Sequence, residues 1–314
     1  MTKRAWVYMA CLAGILMSGA AAAYHWAPKS ISDERVIASE LPYTNELVSF
    51  PNTNGTVLAG TLSIPKGAGP FPSIILIPGS GQVNRDGELF GHKFYSVLAD
   101  SLVRRGFAVL RSDKRGLGKS GGDFGSATSF DFADDIASGV RFLRARRDVD
   151  SKRVGLVGHS EGGLIAPIVA GNDPAIAFVV SMAGNGVRGE DLTRERSRLF
   201  GVPALTDDGT PWIRTFLTTD PQPILEKIHC PVLAVFGEKD QAVPAEQNAY
   251  AVALALRGNS RAKVVRLAGL NHFFQTARTG AFSEVPSLSE TMSPSALTLI
   301  GTWAAAQVGL KAPN

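Results

Sequence analysis

Between Val154 and Ala170 the chain reads VGLVGHSEGGLIAPIVA: a five-residue apolar run, the pentapeptide Gly158-His159-Ser160-Glu161-Gly162, and a second apolar run. An apolar segment that short is the length of a buried strand, and the longer one after it suits a buried helix. The turn joining them brings neighbouring backbones so close that side chains at the flanking positions would clash, hence glycine at 158 and 162. A G-x-S-x-G pattern between strand and helix is a nucleophile elbow, which lifts the serine Oγ above a sheet. The N-terminus of the following helix then faces the point where negative charge develops.

The pentapeptide alone is a weak signal, because Gly118-Lys119-Ser120-Gly121-Gly122 also matches it. That copy follows the polar turn DKRGL and leads into DFGSATS, with no strand before it and no helix after it, so it reads as a flexible loop. It also imitates the end of a P-loop, but the first glycine of that motif falls at Asp113, which disfavours nucleotide binding.

The rest of the chain alternates strands and helices, which predicts an α/β architecture with a mostly parallel sheet covered by helices on both faces. Eight strands are expected, at 47–50, 56–64, 73–77, 107–112, 154–158, 178–182, 232–237 and 263–267. PNTNG at 51–55 makes the first two an antiparallel hairpin. Helices are expected at about 90–105, 130–146, 161–171, 245–257 and 293–308, the first two from stripes such as Phe94, Leu98, Leu102 and Phe132, Ile136, Val140. With 45% hydrophobic and 19% charged residues, 314 residues supply one large core, placed at 45–314.

A serine hydroxyl needs a base within hydrogen-bond reach and a carboxylate to orient that base. After a nucleophile elbow these follow in the order Ser, acid, His. Of the histidines at 25, 92, 159, 229 and 272, only His272 lies beyond the strand at 232–237, in the loop GLNHFF. Asp240 comes from VFGEKDQAVP just after that strand, with Glu238 as nearest competitor. A loop histidine or turn aspartate is ordinarily a solvated side chain; here the required order raises both above that. The backbone amide of Glu161 is one expected oxyanion donor. The other is assigned to Ser80 in Pro78-Gly79-Ser80-Gly81, with Gly81 as alternative, although the same residues suit a plain glycine-rich turn. The side chains of His159 and Glu161 read as structural. No H-E-x-x-H, C-x-x-C or clustered His/Asp set appears, so neither metal nor cofactor is expected.

Residues 2–23 carry a basic start, an apolar stretch and small residues through Ala23, the pattern of a cleaved secretory signal. This predicts a periplasmic or secreted protein with an N-terminal extension at 24–44 and no stable membrane association once the leader is gone. The rival is an uncleaved anchor, since Ala5–Ala23 is nearly long enough to span a bilayer. A lipid-modified Cys11 is less attractive, because the apolar run before it is short. Without the leader Cys230 is the sole cysteine, which excludes an intramolecular disulfide and reads as an inert buried thiol. Removing Lys3 and Arg4 brings the formal charge from +4 to +2, too little to suggest a nucleic-acid partner. The basic clusters Arg141, Arg144, Arg146, Arg147 and Arg188, Arg194, Arg196, Arg198 read as solvated helix faces. The sequence does not indicate an oligomeric state.

Five ordered motifs, IPGSGQVNRDG (77–87), RSDKRGLGKSGG (111–122), GHSEGG (158–163), CPVLAVFGEKDQAVP (230–244) and LAGLNHFFQTARTG (267–280), resemble bacterial α/β-hydrolases related to the EstD-type carboxylesterases. The likeness spans about residues 45–308. It implies an α/β-hydrolase fold and hydrolysis of small-molecule esters through an acyl-enzyme, with Ser160, Asp240 and His272 as triad. Two departures stand out: Pro78 replaces a histidine common in relatives, and only 27 residues separate Ala183 from Pro211, where a longer helical cap is usual. A reduced cap at 184–222 with one or two short helices is expected, over an open site for short acyl chains. Leu199, Phe200, Trp212, Phe216 and Phe273 are the candidate walls, Phe216 reading rather as core. A peptidase or amidase, or a binding protein that kept the fold, are the rivals.

Overall fold

Phe71–Ile77 is buried along almost its whole length, as a strand covered on both faces must be. In the computed structural model, which describes residues 41–310, it lies inside an eight-stranded sheet. The segment expected to be a leader, Cys11 and most of the expected 24–44 extension lie outside the described residues.

The strands are β1 (Tyr43–Pro51), β2 (Val57–Pro65), β3 (Phe71–Ile77), β4 (Ala108–Ser112), β5 (Val149–His159), β6 (Phe178–Met182), β7 (Val232–Gly237) and β8 (Ala262–Leu267). Their spatial order is β1-β2-β4-β3-β5-β6-β7-β8. β2 runs antiparallel to both β1 and β4, and every other pair is parallel. The hairpin was legible in its turn; the second antiparallel seam, β2 against β4, was not, because the two are distant in sequence.

Helices α1 (Phe94–Val103) and α8 (Pro294–Gln307) pack on one face with Leu98, Leu102 and Ile300 in a core that includes Ile74 and Phe178. On the other face lie α2 (Ser129–Arg144), α3 (Gly162–Asn172) and α7 (Ala245–Ala255). α2 starts at a capping box, Thr128 with Asp131, and ends on Arg141 and Arg144, as the helix dipole favours. α3 carries Pro167, which has no N–H for the Gly163 carbonyl; the Ser181 hydroxyl donates to that carbonyl instead, at 2.9 Å.

Between β6 and β7 the chain leaves the sheet to form α4 (Gly189–Phe200), α5 (Pro211–Thr218) and the single turn α6 (Gln222–Glu226). Gly201, left-handed at φ 67°, stops α4, and Thr210 caps α5 ahead of Pro211. α4 and α5 stand over the carboxyl ends of the strands, where ligands bind in open parallel sheets.

Candidate active site

Ser160 sits between β5 and α3 with φ +57°, a conformation that non-glycine residues adopt only where the surroundings enforce it. The enforcement is visible on both sides. A Cβ at Gly158 would overlap the Gly162 carbonyl, and one at Gly162 would overlap the Ile77 carbonyl. The Ser160 amide donates to Met182 O at 2.8 Å, and its carbonyl accepts from Gly163 N at 2.8 Å.

Asp240 follows β7 and is buried. Its Oδ1 accepts from the Ala242 and Val243 amides at 2.7 and 2.8 Å, and its Oδ2 lies 2.8 Å from His272 Nδ1. An ionised carboxylate only accepts, so Nδ1 carries the proton and Nε2 is left as the basic nitrogen. The competitor Glu238 is exposed and pairs with Arg266 at 3.5 Å. Ser160 and His272 line one cleft of about 190 Å³, with no direct hydrogen bond between them among the described residues.

Ser80 and Glu161 line the same cleft, and their amides donate to no protein acceptor among the described residues. The neighbouring Gly79 amide is occupied: it donates to Tyr95 Oη at 2.9 Å. Tyr95 continues to His159 Nδ1 at 3.2 Å, and His159 Nε2 donates to the His272 carbonyl at 2.9 Å. This chain joins the loop after β3 to the loop that carries His272. Burial first, and the nearby His272 second, push the His159 pKa down to about 3, so it is a neutral connector. Burial raises that of the Tyr95 phenol.

The Glu161 carboxylate is a second connector. Its Oε1 accepts from Ser129 Oγ and from Trp212 Nε1 of α5, both at 2.7 Å. Lys114 reaches its Oε2 at 3.0 Å and also donates to the Gly79 carbonyl at 2.6 Å. Sequence reasoning singles out neither Tyr95 nor Lys114: Tyr95 falls within the helix expected at 90–105 but outside its named stripe, and Lys114 falls in the polar turn DKRGL.

Three expectations are corrected. Ser120 is not in a flexible loop: it is buried, donates to Asp113 O at 2.8 Å and accepts from the Ala59 amide at 2.9 Å. That loop is held further by the Lys119 amide on Asp113 Oδ2 at 3.1 Å and by Gly116 N to Gly121 O at 2.8 Å. Leu199 and Phe200 are not walls; they point to solvent at 44% and 39% exposure, whereas Phe216 lines the cleft stacked on Trp212 at 5.2 Å. Arg196 is not on a solvated face but is 8% exposed at the cleft. Phe273 does line it, stacked on Phe94 at 4.4 Å. Cys230 is half-buried, and burial pushes its thiol up to about 11. Among the described residues no three His, Cys, Asp or Glu side chains cluster to hold a metal ion, and no helix is long and apolar enough to cross a membrane.

The strand order and the strained serine between β5 and α3 define an α/β-hydrolase. Within that class the chain belongs to the prolyl oligopeptidase family, whose pattern matches residues 93–288. It is 27% identical over 259 residues to esterase EstD of Thermotoga maritima, covering 74% of this chain and 62% of that protein. The chain thus spans less than two thirds of the length of the curated relatives it matches. The solved structure of esterase Pf2001 from Pyrococcus furiosus superposes with a TM-score of 0.64 at 18% identity, covering 93% of this chain and 96% of that one. Est1E from Butyrivibrio proteoclasticus, with ferulic acid bound, gives 0.61 at 21% identity, covering 83% and 99%. These likenesses establish the fold.

Proposed function

We propose that this chain is a serine hydrolase that cleaves carboxylic esters of short acyl groups, with Ser160 as nucleophile, His272 as base and Asp240 as the acid that orients it. The observation that carries the reading is the 2.8 Å contact of Asp240 with His272 beside the cleft that also holds Ser160. In the first half-reaction Ser160 Oγ attacks the ester carbonyl while His272 Nε2 takes its proton. The carbonyl oxygen becomes an oxyanion facing the Ser80 and Glu161 amides, which have no acceptor to give up among the described residues. Collapse of the tetrahedral intermediate breaks the bond to the alkoxy oxygen, which leaves as the alcohol with the proton from His272. Water, deprotonated by the same histidine, then attacks the acyl-enzyme and releases the acid.

The name of esterase EstD, matched over most of this chain, supports ester over amide hydrolysis. The prolyl oligopeptidase family and the similarity to the uncharacterized peptidase YuxL of Bacillus subtilis, 22% identical over 75% of this chain, favour a second reading as a peptidase on the same triad. Comparing an ester and an anilide of one acyl group decides between them: the ester is expected to be cleaved at least about a thousandfold faster, and equal rates reverse the assignment. A fluorophosphonate probe should label Ser160 covalently, and an unlabelled protein marks a non-catalytic relative. The reading includes export, with the leader at 1–23 removed; an N-terminus at Met1 or Thr2 on a membrane-bound protein points to an anchor instead.

A further inference from the structure

Arg196 lies on α4 above the strand ends, is 8% exposed, and lines the cleft that holds Ser160 and His272. Three arginines are buried among the described residues. Arg111 pairs with Asp86 and Arg115 with Asp135, whereas the guanidinium of Arg196 has neither an ion pair nor a hydrogen bond among the described residues; its Nε is buried without a partner, as is that of Arg111, and its two terminal nitrogens keep access to the cleft. Its neighbours on the same helix are satisfied: Arg194 holds Asp191 at 3.0 Å and Arg198 holds Glu195 at 2.7 Å.

No carboxylate among the described residues pairs with it. Asp240, whose charge acts on it from nearby, makes its hydrogen bonds to two amides and to His272 instead. Glu161 is taken by Lys114, Ser129 and Trp212, and Glu88 is exposed to solvent. The guanidinium stays charged, and its two terminal nitrogens, the ones open to the cleft, have only solvent to bond unless something that visits the cleft pairs with them. Its planar fork of donors matches a carboxylate.

We propose that Arg196 recognises a carboxylate carried by the substrate, so that the favoured esters are those of small molecules with a second, free acid group. The inference rests on the ester-hydrolase reading and names its substrate class. The carboxylate sits on either the acyl or the alcohol side, and paired substrates separate the two. A monoalkyl succinate against the matching neutral succinamate tests the acyl side, and 4-acetoxybenzoate against 4-acetoxybenzamide tests the alcohol side.

The wild type should prefer the carboxylate member of one pair by at least about tenfold in kcat/KM, mostly through KM, because an anchor remote from the reacting carbonyl binds ground and transition states alike. In Arg196→Gln that preference should vanish while the neutral member reacts within about threefold of wild type, and Arg196→Lys should recover part of it. Comparing the ratio between proteins cancels the intrinsic reactivity of each ester. The melting temperature gives an independent readout: removing an unpaired buried charge should leave it unchanged or raise it, whereas a structural arginine would lower it. Hydrolysis of the neutral esters with no carboxylate preference, a preference that survives Arg196→Gln, or a clear drop in melting temperature overturns the inference alone. Failure to hydrolyse any of the four esters overturns the ester reading and the inference with it.

Discussion

Lys114 and Glu161, 47 positions apart in sequence, form a buried ion pair at 3.0 Å, their side chains only 5% and 2% exposed. The same ammonium donates to the Gly79 carbonyl at 2.6 Å. The Gly79 carbonyl and the Ser80 amide belong to one peptide unit, so a single lysine holds the peptide that carries one proposed oxyanion donor and the residue that carries the other. Breaking a buried pair from one side strands a charge and typically removes about 3–5 kcal/mol of stability, whereas replacing both partners is often close to neutral. Lys114→Met should therefore lower the urea midpoint sharply, and Lys114→Met with Glu161→Met should recover most of it. Turnover should stay at least roughly tenfold down in the double variant, short of the ~10²–10³ seen when an oxyanion donor is deleted. Full turnover in the double variant contradicts a positioning role.

The triad assignment predicts a steep and ordered series. Ser160→Ala should abolish both fluorophosphonate labelling and nearly all turnover, because the rival Ser120 already uses its hydroxyl to bond Asp113 O and the Ala59 amide. His272→Ala should reduce kcat on the order of 10³-fold or more, and Asp240→Asn somewhat less, since triad members act as a unit. Labelling that persists in Ser160→Ala, or near-normal turnover in Asp240→Asn, moves the assignment elsewhere.

His159 connects stability to pH. Its pKa falls from the ordinary 6.5 to about 3 in the folded protein, mainly through burial. Above pH 6.5 neither state holds the extra proton, and its contribution to stability is complete. As pH falls from 6.5 towards 3 the unfolded chain binds a proton that the folded one refuses, so stability is lost at up to about 1.4 kcal/mol per pH unit. Urea titrations between pH 7 and 4.5 should show that slope reduced in His159→Gln. An unchanged slope in the variant shows that other groups, such as the paired carboxylates, carry the acid sensitivity.

Acyl-chain length follows from the walls. Each acyl methylene that becomes fully buried should contribute about 0.8 kcal/mol. The cleft of about 190 Å³ is closed on one side by Trp212 stacked on Phe216 and on another by Phe273 against Phe94. Values of kcat/KM are expected to peak between acetyl and butyryl esters and to be flat or falling beyond. A steady climb through decanoyl esters shows that the short cap closes a deep channel instead.

Local chemistry made much of this protein legible in its sequence. Predominantly apolar runs such as Phe178–Met182 and Val232–Gly237 located central strands, because a strand covered on both faces tolerates little else. The glycines at 158 and 162 announced the elbow for a steric reason that needs no knowledge of the rest of the fold. Chain order singles out His272 and Asp240, and Nδ1 of the one lies 2.8 Å from Oδ2 of the other. What tertiary structure alone decided is where charged and polar side chains end. Arg196 reads like Arg194 and Arg198 around it, yet the packing of α4 over the strand ends buries the first and leaves the other two solvated. Lys114 meets Glu161 across 47 residues, and Tyr95 bridges Gly79 to His159 across 16 and 64. Such pairings have no period and no local cue. A side chain's charge is fixed by its residue type, but its burial and its partner are set by elements that the chain brings together only when the sheet is complete.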